Sequence, residues 1–458
     1  MDRRSRTRRA WTLLPAAALL AAACAGGTAS QAPTVVPITD APASEPASEA
    51  PATEEPASQG LASEEPASEE PASEEPASEE PASEEPASDA PSSAGPPASG
   101  MPTEVGEGEG AVRILAWPGY VEDGSTDPEV DWVTEFEGAT GCEVSFDVFG
   151  TSDEAFNLFK DGDYDVISAS GDASGRLYEG GYVAPVNVDL VPNYTGVVDA
   201  LKDQPYNTFG GVHYGIPHGR GANLLMWRTD VVDPAPDSWT AVFDPESPYA
   251  GQVTAYDAAI YIADAAVVLM TTQPELGITD PYALDEAQFA AAVDLARQQR
   301  PLISEYWSDY TREMASFANQ DSVIGTTWQI IVNLLQAEDP PVPVEAIKPV
   351  EGSTGWSDTW MVRADAAHPN CAYMWLDYVV SPQTQASIAE WFGEAPANIA
   401  ACDLTADPEH CDIFHADDDA YWEDVYYWTT PSVECLDGRG PICKGFDEWL
   451  NAWTEIKG

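Results

Sequence analysis

The chain has 458 residues, and its 78 acidic against 19 basic residues set a formal net charge of −59. So acidic a protein is excluded as a nucleic-acid binder, because affinity for a phosphate backbone rests on clustered lysine and arginine. The length accommodates two lobes of ordinary size, and the acidic field either draws cations or reflects adaptation to salt.

Arg3, Arg4, Arg6, Arg8 and Arg9 precede an apolar run over residues 11–23, the layout of a secretory signal and too short for an ordinary membrane span. Ala21, Ala22 and Ala23 stand directly before Cys24, as in a bacterial lipobox, although Ala21 replaces the usual leucine. The expectation is a signal over 1–23 and an acylated Cys24 that anchors the chain to a membrane without spanning it. Residues 24–110 are nearly all Ala, Pro, Ser, Glu and Gly, with Glu-Glu-Pro-Ala-Ser in tandem over 64–88. Such a segment buries no core and, stiffened by proline and charge, acts as a spacer.

From there the pattern alternates. Strands are predicted over 112–117, 143–148 and 164–169, and helices over 130–139 and 154–160, the order of an α/β sheet with parallel strands. Ligands in such sheets bind beyond the carboxyl ends of the strands, where Trp117 and Tyr120 follow the first strand and Ser170 and Asp172 the third. The Gly-rich turn 170–175 could also cradle a phosphate, but it lacks the dinucleotide spacing. An apolar strand predicted over 223–227 follows Pro217, Gly219 and Gly221, which mark a hinge. A strand over 323–327 ends at Trp328, repeating the placement of Trp117, and the chain returns through 351–356 after a run over 344–350. The stretch Gly355-Trp356-Ser357-Asp358-Thr359-Trp360 puts two indoles and a carboxylate within six residues. That is the chemistry that holds a small organic cation, since an aromatic face contributes roughly 0.5–2 kcal/mol and a carboxylate adds charge-assisted bonds.

Six cysteines remain after Cys24, an even number that argues for disulfides in an exported chain. Cys402 with Cys411 and Cys435 with Cys443 would close short loops, leaving Cys142 with Cys371, but sequence alone leaves the pairing open. Zinc held by Cys411, His410 and His415 competes, without a Cys-x-x-Cys pair to support it.

In succession along the chain stand Leu115-Ala116-Trp117 with Tyr120-Val121, Asp163-Tyr164-Asp165-Val166, Ser238-Trp239, Tyr249-Ala250-Gly251, Thr327-Trp328, Pro349-Val350-Glu351-Gly352, Trp356-Ser357-Asp358 and Ala395-Pro396-Ala397-Asn398. In this order and spacing they resemble the spermidine/putrescine-binding family of ABC-transporter solute receptors, over essentially residues 111–458. The resemblance implies a two-lobe periplasmic-binding-protein fold (type II-like) with a hinge and an interlobe cleft. It places 111–219 and 350–458 in the first lobe and 220–349 in the second. It implies a cleft in which Trp117 and Tyr120 form one wall, Trp328 and Trp356 stack on an alkyl chain, and Asp358 takes an ammonium. Asp257 falls near one member of the family's second-lobe acidic pair, while Asp172 and Glu394 are carboxylates at positions usually aromatic. Arg220 also departs from the pattern. Unless paired with Asp172 or Glu394, it would repel a polyamine and favour a carboxylate-bearing ligand.

The function implied is a monomeric extracytoplasmic receptor that closes on a small organic cation and docks on a membrane permease, with no cofactor and no reaction on the ligand. The alternatives are a receptor for an amino acid, γ-amino acid, betaine or sugar on the same fold, and a secreted glycoside hydrolase. The last would need two carboxylates at glycosidase separation, which the sequence does not pair.

Overall fold

The computed structural model describes residues 101–458; the signal segment, Cys24 and the tandem repeats lie outside the described residues. Strands Ala111–Ala116, Glu143–Val148 and Val166–Ala169 pair in parallel, with helices Val133–Thr140 and Ser152–Asp161 between them. The second helix shows why it forms there. Thr151 caps it by accepting from Glu154 N, Asp153 and Glu154 occupy its positive first turn, and Ala155 and Phe159, four residues apart, are its buried face.

The first sheet has the spatial order Glu143–Val148, Ala111–Ala116, Val166–Ala169, Thr359–Val362, Gly215–Pro217. The second runs Ile303–Trp307, Val253–Tyr256, Ile324–Thr327, Leu224–Arg228, Val344–Ile347. Each has three parallel strands, then one antiparallel to them and a fifth antiparallel to that one, so the carboxyl ends of the three parallel strands in each lobe share one edge. A third sheet, Ala395–Pro396, Gly219–Ala222, Ser353–Trp356 and Val425–Tyr427, carries the chain across. The α/β, two-lobe expectation therefore stands.

The boundaries need two corrections. The fold begins before residue 111: Asn187 Nδ2 donates to Pro102 O at 3.0 Å, and the Glu109 carboxylate accepts from the backbone N–H groups of Asn370 and Cys371, both at 3.0 Å. Glu109 thereby serves the N-terminus of helix Pro369–Val379. Nor does all of 350–458 lie with the first lobe. Helix Phe446–Lys457 buries Trp449, Ala452, Trp453 and Ile456, and these belong to the core built on the second sheet.

The disulfides are Cys142–Cys371, Cys402–Cys411 and Cys435–Cys443. Cys411 is thus committed, which removes the zinc reading, and no described cluster of His, Cys, Asp and Glu has the arrangement of a metal site. The stretch that leads to the last helix touches both lobes. The Thr430 hydroxyl accepts from Gly175 N at 3.1 Å and lies 2.9 Å from the carbonyl oxygens of Gly171 and Asp172, all on helix Gly171–Glu179 of the first lobe. Beyond it, Arg439 donates to Asp285 and Gln288 of the second lobe, both at 3.0 Å, and Cys443 bridges to Asp285. No helix among the described residues is long and apolar enough to cross a membrane.

Candidate functional site

Two segments, 215–228 and 353–362, run side by side from the first sheet into the crossing sheet. Their strands break at His218 and at Ser357 and Asp358, yet the backbones stay joined, His218 N donating to Asp358 O at 2.8 Å and Asn223 N to Thr354 O at 2.9 Å. Side chains two apart on a strand share a face. On Gly219–Ala222 that face is made of glycines. A Cβ at Gly219 would come within 2.4 Å of the Glu394 carboxyl, and one at Gly221 within 2.4 Å of the Trp356 ring. Arg220 must therefore point the other way. It donates to Ala416 O at 3.0 Å and to the Tyr427 hydroxyl at 3.3 Å, with its guanidinium 4.3 Å above the Trp422 ring. Arg220 thus forms no ion pair with Asp172 or Glu394 and braces the C-terminal segment, while it still lines a small cavity together with Trp328 and Trp356.

At the first-lobe end, the Tyr120 hydroxyl donates to Asp358 Oδ2 at 2.7 Å, and the Tyr120 ring stacks on His218 at 3.6 Å. Trp117 is held by Nε1–H donation to Ser170 Oγ at 3.1 Å. Trp360 is not a cleft indole. It is fully buried in the first-lobe core and donates to His218 Nδ1 at 2.9 Å. That bond leaves the His218 proton on Nε2, which faces Glu394 Oε1 at 3.2 Å without the alignment of a hydrogen bond. Burial holds His218 down at about 3, so it is neutral and contributes no positive charge. Asp172 is buried and accepts from the Ser152 hydroxyl at 2.8 Å.

A run of aromatic rings leads from there to the second lobe. Tyr120 meets Phe392 at 4.7 Å, Phe392 meets Trp356 at 5.8 Å, Trp356 meets Trp328 at 6.4 Å, and Trp328 meets Trp307 at 5.0 Å. Trp328 is fixed by donating to Asn223 Oδ1 at 2.9 Å. Asp257 does not join this wall as a free carboxylate. Its Oδ1 accepts from Lys457 Nζ at 2.7 Å and Trp453 Nε1 at 2.9 Å, so its charge is spent on the last helix. His218, Phe392 and Trp307 were absent from the sequence-based set. The glycines at 219 and 221 do not mark them, since they make room for Glu394 and Trp356.

The electrostatics set this region apart. Burial pushes Asp358 up to about 6, with Asp172 adding to the effect and the Ser170 and Tyr120 hydroxyls opposing it. Burial likewise raises Asp172 to about 6, against the Ser152 bond and the Arg176 charge. Glu394 is pushed well above the carboxylate range, first by burial and then by the charge of Asp358. Asp358 Oδ1 and both Glu394 carboxylate oxygens are buried without a hydrogen-bond partner. Orphaned buried carboxylate oxygens are costly and uncommon, and these lie at one end of an aromatic wall. A depression of about 270 Å³ on the second lobe, lined by Ser238, Thr240 and Tyr249, has no such atom.

Residues 131–410 match the profile of the family described as bacterial extracellular solute-binding protein. The chain belongs to that family. This solute-binding protein is 22% identical over 289 residues to the spermidine/putrescine-binding periplasmic protein of Escherichia coli, covering 62% of this chain and 77% of that one. It is 25% identical over 309 residues to the putrescine-binding periplasmic protein PotF of the same organism, covering 64% and 80%. Among solved structures, a putative spermidine/putrescine ABC transporter from Listeria monocytogenes superposes with a TM-score of 0.61 at 19% identity, over 76% of this chain and 99% of that one.

Proposed function

We propose that this solute-binding protein is the receptor of an ABC importer for a small organic cation of the polyamine class, such as putrescine or spermidine. It takes the solute between its lobes and delivers it to a membrane permease, acting as a monomer. The observation that carries the reading is the set of unpartnered buried carboxylate oxygens, Asp358 Oδ1 and both of Glu394, at the end of the aromatic run. A buried ionised carboxylate needs a counter-charge. Arg220 donates to Ala416 and Tyr427 and to no carboxylate, His218 is neutral and Lys457 is taken by Asp257, so the solute supplies it. The rings that span the two lobes offer apolar faces to its methylenes and π-faces to its ammonium groups. Closure then follows from the solute bridging both lobes, and no reaction on it is involved.

Calorimetry with putrescine, spermidine, γ-aminobutyrate, betaine and maltose tests the reading. A diamine or triamine is expected to bind while the zwitterions and the sugar do not. Preferential binding of γ-aminobutyrate or maltose would show that the acidic end serves another purpose.

The anchor belongs to the same reading: Cys24 carries the lipid and 24–100 the spacer, holding the receptor on the outer face of the cell membrane. The full chain is expected to partition into detergent after phase separation and Cys24→Ser to stay in the aqueous phase. Equal partitioning of the two would exclude acylation at Cys24.

A further inference from the structure

The second lobe holds an acidic side chain that the site so far described does not use. Glu313 lies in the first turn of helix Tyr310–Asn319 and is fully buried. Its Oε1 has no hydrogen-bond partner, and its Oε2 meets the Thr327 hydroxyl at 3.4 Å, beyond the range of a strong bond. Burial raises this carboxyl well above its ordinary range, and the Thr327 hydroxyl is the one group that opposes the shift.

Its placement points to the cleft. Thr327 ends a strand parallel to its neighbour, and the helix of Glu313 starts three residues after the parallel strand Ile303–Trp307. Glu313 thus stands at the carboxyl edge of the second sheet, where open sheets of this kind receive ligands. Trp328 directly follows Thr327 and packs on Trp307, whose Nε1–H is also unpartnered. The aromatic run accordingly has buried carboxylate oxygens without a partner toward both ends: those of Asp358 and Glu394 at the Tyr120 end, and Glu313 Oε1, whose carboxyl meets Thr327, the residue before Trp328, at the other.

We infer that Glu313 anchors the second-lobe end of a linear ligand that carries an amine at each end. This rests on the polyamine reading above and adds to it a residue and a charge spacing. Asp358 with Glu394 takes one ammonium, the rings cover the methylenes, and Glu313 takes the other, a role closed to Asp257 by its bonds to Lys457 and Trp453. A monoamine of the same length leaves Glu313 buried and unpaired, so the site selects for two charges.

The test is calorimetry on the purified chain with putrescine and with butylamine, which has the same carbon chain and one amine. Wild type is expected to prefer putrescine strongly. Glu313→Gln is expected to lose on the order of 100-fold in putrescine affinity, as for a buried charge deprived of its partner, and much less in butylamine affinity, so that the preference for the diamine shrinks. Its melting temperature without ligand should be no lower than wild type, because the folded state no longer has to hold a buried carboxyl protonated that the unfolded chain would ionise. Should Glu313→Gln not fold, Glu313→Asp keeps the charge with a shorter reach and must shift preference from putrescine toward cadaverine, one methylene longer. Wild type that binds putrescine, with a folded Glu313→Gln that binds it equally, or a Glu313→Asp with unshifted preference, overturns this inference alone. Wild type that binds neither amine overturns the polyamine reading and this inference with it.

Discussion

Asp358→Asn is expected to weaken diamine binding by about 2–5 kcal/mol, as when one member of a buried charge pair is removed. The Tyr120 hydroxyl donates to Asp358 Oδ2. In the variant it still finds the amide oxygen, which turns the amide N–H₂ toward the place of the ligand's ammonium. Two donors then face each other. The unliganded fold should respond with the opposite sign. The folded carboxyl sits at about 6 and the ordinary value is 3.8, so between those values the folded state holds a proton that the unfolded state has released. The contribution of Asp358 to stability is greatest below pH 4, falls as pH rises through about 6, and then levels off. Asparagine removes this penalty, so the variant should melt higher than wild type at pH 7, by up to about 2–3 kcal/mol. Cation affinity in wild type should climb from pH 5 to 7 as Asp358 ionises, and the variant should lose most of that slope. Calorimetry across pH with melting curves on both proteins reads these effects. A variant that binds as wild type does, or that melts lower while binding is kept, would make Asp358 a structural residue.

Gly171→Ala is expected to destabilise the protein by about 3 kcal/mol or more, at or above the upper end for an overpacked site. A Cβ there would lie 1.6 Å from the Trp428 carbonyl oxygen and 2.6 Å from its carbon. Both are backbone atoms, so no rotamer relieves the clash. Trp428 is itself held by donation of its N–H to Gly355 O at 2.7 Å, and Thr430 fastens the same stretch to the helix of Gly171. The helix and the C-terminal stretch must part, and Asp172 moves with them. Gly138→Ala is the control. It lies within helix Val133–Thr140 with nothing within 4 Å of the added carbon, and should stabilise by about 0.5–1 kcal/mol. Thermal melts of both variants decide, and a Gly171→Ala protein as stable as wild type would show that the contact yields easily.

The alternating elements up to residue 169 were legible because strands and amphipathic helices impose different periods on apolar residues; the edge strand Glu143–Val148, whose first five residues alternate between exposed and half-buried, matches its predicted span. Asp358, Trp356 and Trp328 were legible through short motifs at strand ends. Asp257 was misread because its partner Lys457 comes 200 positions later, on a helix that returns to the second lobe, and no local pattern announces a long-range ion pair. The hydrogen bonds of Arg220 were not legible for a long-range reason: its partners Ala416 and Tyr427 come about 200 positions later. Glu313 went unnoticed although its helix shows it. Glu313, Ser316 and Phe317 form the buried stripe, and an acid in the stripe that should be apolar signals a polar task. The returning helix could also have been read, since Trp449, Trp453 and Ile456 keep helical spacing.

The stretch between Trp428 and Cys443 has a mechanical consequence. Two ribbons crossing between lobes allow a free swing, but here a third tie grips the first lobe through Thr430 and the second through Arg439 and the Cys435–Cys443 loop. Angular travel is leashed by that tie. Parting the lobes widely enough to pass a solute has to tear Thr430 from its helix or draw slack from a loop that a covalent bond has shortened, so entry and exit work against the same restraint.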